Sequence, residues 1–210
     1  RFVLSLVGWG AVLFAAPMLI SSPEYVFGQY AEWIECLAGK NAENLFADHQ
    51  NISLLGMVRK ISGVATYSDL WLIVPGLLLF GLPYLRFSQY KYMAFRQTLL
   101  ASVLMFVLLF STGSESSGYI IALIGVVIWY TCVPWQRSGW DVALLVFAFV
   151  LTSLSPSDLF PKAIRQAWVQ PYALKALPVA IIWFKLCYEM LLKSYAPAVA
   201  TDSAQRQPEG

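Results

Sequence analysis

The stretch Asn44–Gly63, NLFADHQNISLLGMVRKISG, decides how this chain is read. It closes the one long polar segment of a sequence otherwise built from apolar runs. It holds the only histidine, His49, beside Asp48, Gln50 and Asn51, and it ends in the basic pair Arg59 and Lys60. Between the two clusters Leu54, Met57, Val58 and Ile61 recur at helical spacing, and either Asn51 or Ser53 can cap the start of that helix. A segment that is polar, then apolar, then basic suits a piece of chain dipping into a membrane surface beside a buried site. The plainer alternative is a loop helix resting on the bilayer.

The surroundings of this stretch set the class. The chain has 210 residues, of which 59% are hydrophobic and 12% charged, with a mean hydropathy of +0.63. Soluble domains carry roughly 25% charged residues, so the composition is that of an integral membrane protein with the lipid bilayer as a partner. A net charge of +2, spread rather than clustered, excludes nucleic acid as a partner. Cys36 lies in the polar segment, whereas Cys132 and Cys187 lie in apolar runs. Such a set builds neither a disulfide framework nor a zinc site, and no metal or cofactor is expected. The chain opens at Arg1 and moves straight into an apolar run that no small-residue cleavage site ends. It reads as the C-terminal portion of a longer protein, with a transmembrane domain over residues 1–195 and a disordered cytoplasmic tail over 196–210.

Six apolar runs approach the ~20 residues that a membrane helix needs: Phe2–Ile20, Leu70–Leu85, Ala94–Phe110, Tyr119–Val133, Val142–Leu154 and Tyr172–Leu192. The second, fourth and fifth are short and need interfacial aromatics or neighbouring helices to complete a crossing. The expected fold is therefore all-α, a polytopic transmembrane bundle of about six helices. Arg86, Lys91 and Arg96 fill one short loop without an acid, and Arg137 sits in another. Short loops rich in Lys and Arg stay in the cytoplasm, so residues 21–69, 111–118 and 155–171 fall outside. Lys162 and Arg165, on the outer side, run against that count.

The outer segments carry amphipathic helices. Ser21-Ser22-Pro23-Glu24 combines a capping-box pattern with a proline at the first turn. Behind it Tyr30, Trp33, Ile34 and Leu37 mark one face and Glu32 and Glu35 another, as expected of a helix lying in the interface. Leu159–Val169 repeats the pattern. Ser111–Tyr119, STGSESSGY, is a tight turn with one carboxylate, Glu115. That acid is either a solvated loop charge or, facing the bundle, a functional group, and the hydroxyls around it suit a sugar or a phosphate. In the last run Lys185 and Glu189 stand four apart, as a structural pair would, or with Lys185 snorkelling.

Asn51-Ile52-Ser53-Leu54, followed by Gly56 and Arg59, resembles the Asn-Gln-Ser-Leu element of glycosyltransferase family 87, polytopic C-type enzymes that use polyprenyl-phosphate sugars. In that family the element follows a long outer loop with an amphipathic helix. FSTGSESSGYIIALIGVVIWY, residues 110–130, is similar to the later outer-loop segment of Bacteroidetes-type members. Ile52 replaces the usual glutamine, and the histidine-containing form of the later turn is absent. The resemblance implies a hexosyltransferase, mannosyltransferase-like, of the bacterial inner membrane, with a polyprenyl-phosphate sugar donor and a glycan or glycolipid acceptor. It also implies an aspartate general base in an earlier outer loop. Nothing here matches that loop, so the principal base is expected outside this chain, and the chain alone is expected to be inactive.

Asn51, Ser53, Arg59, Lys60, His49 and Glu115 are then the expected substrate-binding residues, with Arg59 foremost for the lipid phosphate and Glu115 the weak candidate for a catalytic role. A membrane transporter or flippase subunit is the alternative, although transporters carry internal repeats and none is evident. A non-catalytic membrane scaffold is a third reading.

Overall fold

The computed structural model describes residues 2–44, 47 and 49–197. Among them no strand occurs. The helices are α1 (Phe2–Ala15), α2 (Pro23–Asn44), α3 (Leu54–Ser62), α4 (Leu70–Gly81), α5 (Met93–Leu109), α6 (Tyr119–Thr131), α7 (Gly139–Ala148), the single turn α8 (Lys162–Ile164) and α9 (Leu177–Leu192). The all-α expectation holds. The described chain divides into two compact units between Glu43 and Asn44. Asp48 and the tail from residue 198 lie outside the described residues.

In the first unit α1 tightens into a 3₁₀ turn over Ala16–Leu19, where Pro17 has no N–H to continue the helix. Ser22 then caps α2: its hydroxyl accepts the N–H of Tyr25 at 3.3 Å, and Pro23 takes the first position, where a missing N–H costs nothing. The Tyr30 ring stacks on Phe14 at 4.7 Å, and its hydroxyl donates to the Phe14 carbonyl at 2.9 Å. Trp33, Ile34 and Leu37 stand exposed on α2, as do Glu32 and Glu35.

The second unit is built on α5, α6 and α9. Small residues bring the first two together: a Cβ on Gly125 would meet the Ala101 carbonyl at 2.9 Å, so glycine lets the backbones approach closely. Phe95, Met105 and Leu109 of α5, Val126 and Trp129 of α6, and Trp183, Leu186 and Met190 of α9 are all without exposure. Burying each such side chain stabilises the fold by roughly 1.5–3 kcal/mol. The polar edge of Trp183 is satisfied across α5, its Nε1 donating to Ser102 Oγ at 3.1 Å.

At the end of the bundle that carries the basic loops, Glu189 is 1% exposed and accepts from Trp129 Nε1 at 3.0 Å, Arg137 at 3.3 Å and Lys193 at 3.3 Å. Lys185 does not pair with Glu189, which corrects the four-apart pairing. It reaches Asp141 at 2.7 Å instead, while Asp141 and Ser138 form the capping box that starts α7. A carboxylate as buried as Glu189 needs several donors, and the loop between α6 and α7 supplies one of them through Arg137.

The six apolar runs all fall on helices, but among the described residues no single helix is long and apolar enough to cross a membrane. At 17 residues α5 rises about 25 Å, short of a ~30 Å hydrocarbon core. Two of the other runs are interrupted. Pro75 lies inside α4, a 3₁₀ turn over Leu82–Leu85 follows that helix, and α7 widens into a π turn over Phe149–Leu154.

Candidate functional site

Asn51-Ile52-Ser53-Leu54 is an element of backbone shape. Asn51 is left-handed, with φ 51°, a conformation asparagine tolerates better than most residues. Ser53 caps α3, accepting the Gly56 N–H at 3.0 Å, and its own hydroxyl donates to Asn51 Oδ1 at 2.9 Å. Gly56 is dictated by the same turn, since a Cβ there would lie 1.8 Å from the Asn51 carbonyl. Ile52 is then held on both sides. Its N–H donates to the Ser114 carbonyl at 2.8 Å, and its carbonyl accepts the Tyr119 hydroxyl at 2.8 Å. Ser114 Oγ in turn donates to the Leu108 carbonyl at 2.6 Å, fixing the turn to the end of α5. The two sequence segments singled out above are thus hydrogen-bonded into one piece.

Against that piece lies a cavity of about 310 Å³. His49 and Ile52 form one wall, Ser116 of the α5–α6 turn another, and Ser155 and Pro156 the segment after α7. Arg165 and Gln170, from a second wide turn, and Lys175, just ahead of α9, complete it. Ala173 on the same wall is left-handed, with φ 51°; for a residue with a Cβ this costs roughly 1 kcal/mol. Such strain concentrates at functional sites. The cavity sits at the end of α5, α6 and α9 opposite the basic loops.

Lys175 dominates its electrostatics. The residue is 6% exposed, and its Nζ donates to the Ser116 carbonyl at 2.8 Å and to Ser116 Oγ at 2.7 Å. It also lies over the Tyr119 ring, 5.2 Å from the centroid. Among the described residues no carboxylate pairs with it. The Thr152 hydroxyl, donating to the Lys175 carbonyl at 3.1 Å, fixes the backbone from which the side chain reaches the cavity. Arg165 spends one terminal nitrogen on the carbonyls of Pro156 and Ser157, both at 3.2 Å. Ser155 is 2% exposed, and its hydroxyl meets no protein partner among the described residues. Among the described residues no lining residue is acidic. Among the described residues a lysine, an arginine and a hydroxyl without a protein partner face this space and no carboxylate does, a donor set suited to an anion. Among the described residues no three histidine, cysteine or carboxylate side chains gather as a metal would require.

Of the residues expected from sequence, His49 lies on this cavity, exposed at its edge. Asn51 and Ser53 are fully buried behind the wall and shape it. Arg59 must be reassigned. It is 2% exposed and donates to the carbonyls of Ala65 at 2.6 Å and Tyr67 at 3.2 Å and to Asp69 Oδ1 at 2.6 Å. With its guanidinium over the Tyr67 ring at 4.3 Å, it pins the α3–α4 connection instead of facing a phosphate. Lys60 donates to the carbonyls of Ala47 at 2.8 Å and Gln50 at 3.3 Å, so it too braces the loop. Glu115 is exposed and is not part of the cavity lining, which removes the ground for a bundle-facing acid.

Lys175, Ser155 and Gln170 are what sequence reasoning missed. Lys175 had a signal, because it stands inside a run otherwise counted as apolar, where an ionisable residue marks function. Ser155 and Gln170 had none.

The model of glycosyltransferase family 87 matches residues 1–112, slightly more than half of the 210 residues. The match takes in the whole Asn51–Arg59 element and stops at the turn that holds Ile52. No curated protein and no solved structure matches the chain. By the extent of this match, the chain belongs to glycosyltransferase family 87.

Proposed function

We propose that the chain is part of a multi-pass enzyme of the bacterial inner membrane. It transfers a hexose, mannose foremost, from a polyprenyl-phosphate donor to an extracytoplasmic glycan or glycolipid acceptor. The cavity at residues 49–52, 116, 155–156 and 165–175 receives the phosphate of the donor. The observation that carries this reading is Lys175, a buried ammonium with no carboxylate partner among the described residues, directed to a cavity that holds a second cation, Arg165. A lipid phosphate supplies the missing anion, and the charge-assisted bonds it accepts are the strong ones. The sugar next to the phosphate then meets His49 and the hydroxyls of Ser116 and Ser155.

The membrane part of the proposal rests on composition and on the loop charges. The basic loops gather at one end of α5, α6 and α9 and the cavity at the other, which suits an extracytoplasmic site under the rule that cytoplasmic loops are basic. Helices as short as α5 span only with help from their flanking turns or a locally thinned bilayer.

Binding of a radiolabelled polyprenyl-phosphate hexose to the chain in liposomes tests the reading. It is expected to saturate, and to weaken in Lys175→Met when that variant unfolds at the temperature of the parent. Undiminished binding by folded Lys175→Met places the donor phosphate elsewhere. Movement of the labelled lipid between leaflets without binding at this cavity favours the transporter or flippase alternative.

A further inference from the structure

We infer that the cavity selects for charge: it holds a lipid phosphate monoester in preference to a lipid phosphodiester, so that the leaving group of a transfer reaction occupies it more tightly than the donor. This rests on the proposed donor class and goes beyond it by stating which side of the reaction the site favours.

The argument starts from counting donors. Lys175 gives two of its three N–H bonds to Ser116 and keeps one. Arg165 commits a single terminal nitrogen to backbone carbonyls; the rest of its fork of five N–H groups is free among the described residues. Ser155, 2% exposed, adds a hydroxyl without a protein partner, and the Gln170 amide lines the same space. Among the described residues the wall is therefore rich in donors and carries two positive charges with no negative one. It fits a ligand that is all acceptor, and one charge on that ligand leaves a cation uncompensated.

A sugar linked through phosphate to a lipid is a phosphodiester with one negative charge. When the bond from the anomeric carbon to the phosphate oxygen breaks, its electron pair stays on that oxygen. The acceptor oxygen forms the new bond to carbon and its proton passes to solvent. The phosphate left behind is a monoester, whose second ionisation lies near pH 6, so at neutral pH it carries almost two charges and a third free oxygen. Both changes suit the wall. A site that binds the developing dianion better than the starting monoanion lowers the barrier, and the same preference makes the released lipid phosphate a competitive inhibitor. An added unit charge a few ångströms from two partly desolvated cations is expected to raise affinity by roughly tenfold or more.

Calorimetric titration of the 210-residue chain in neutral detergent micelles, at pH 7 and low salt, tests this with farnesyl phosphate, its methyl diester and inorganic phosphate. The two lipids enter the micelle alike, so the ratio of their affinities reports the headgroup. The monoester is expected to bind about tenfold more tightly than the diester, and inorganic phosphate to compete with it at higher concentration. Lys175→Met and Arg165→Gln are each expected to bring the ratio towards one. Arg165 is only half-buried, so its variant keeps the test meaningful if Lys175→Met does not fold. Equal affinity for monoester and diester overturns the charge preference while leaving the donor reading intact. An unchanged ratio in Arg165→Gln, or failure of inorganic phosphate to compete, overturns it as well. Failure of the folded chain to bind either lipid removes the donor reading instead.

Discussion

Arg59 offers the sharpest separation between a binding residue and a structural one. Replacing it by methionine keeps the length of the side chain but leaves Asp69 without its partner, together with the carbonyls of Ala65 and Tyr67. The Asp69 side chain is 15% exposed, so water recovers part of the loss. Breaking a buried pair costs about 3–5 kcal/mol, and the lower end, about 3 kcal/mol, applies here. Lysine keeps the charge but not the fork: one ammonium cannot reach Asp69 and both carbonyls along the directions the guanidinium uses. Losing one carbonyl bond and the stack on Tyr67 costs about 2 kcal/mol. For a chain of this size 1 kcal/mol moves the melting temperature by roughly 2–4 °C. Arg59→Lys is therefore expected to melt about 4–8 °C below the parent, and Arg59→Met about 6–12 °C below it. Thermal unfolding in micelles followed by near-ultraviolet circular dichroism reads both. Asp69→Asn completes a double-mutant cycle, in which a coupling of about 1–3 kcal/mol is expected for contacting residues. Binding of farnesyl phosphate below the transition should stay within about twofold of the parent. An Arg59→Lys variant that melts like the parent yet loses the lipid phosphate would refute this account and return Arg59 to the site.

Other substitutions probe the frame around the cavity. Gly56→Ala forces a Cβ against the Asn51 carbonyl, which neither backbone can yield, and is expected to destabilise by about 3 kcal/mol or more, read from the same melting curves. Tyr119→Phe leaves the buried Ile52 carbonyl without its donor; a loss of about 1–2 kcal/mol and weaker lipid-phosphate binding are expected, the latter because Ile52 is part of the wall.

Periodic features of the sequence were legible because a period reports one face of one element. Apolar runs gave the helices, and of the two caps offered for α3 the structure uses Ser53; the capping-box pattern at Ser21–Glu24 resolves instead to a single cap by Ser22. Partnerships were less so. Lys185 and Glu189 have the spacing of a pair, yet the depth of Glu189 and the arrival of Asp141 on α7 re-sort the charges, and depth is set by packing between distant segments. Arg59 misled for a related reason. Its partners are two carbonyls and a carboxylate six to ten residues on, held by the shape of a connection that has no repeating pattern.

The same distinction explains how the cavity is assembled. Asn51, Ser53 and Gly56 are specified by backbone geometry: a left-handed turn, a cap and a missing Cβ. Their side chains meet each other and the start of α3, so little is left over for a ligand. The groups with unused hydrogen-bonding capacity, on Lys175, Arg165 and Ser155, come from the far third of the chain, brought there by the wide turns that follow α7 and precede α9. Short sequence elements are strict where backbone must take one shape, and that shape here fixes where Ile52 and Ser116 stand. It leaves the identity of the charged groups opposite them to segments whose local sequence carries no motif. An element of this kind fixes the shape of the wall more tightly than the side chains opposite it, so on the proposed function the substitutions that test donor choice belong at residues 155, 165, 170 and 175.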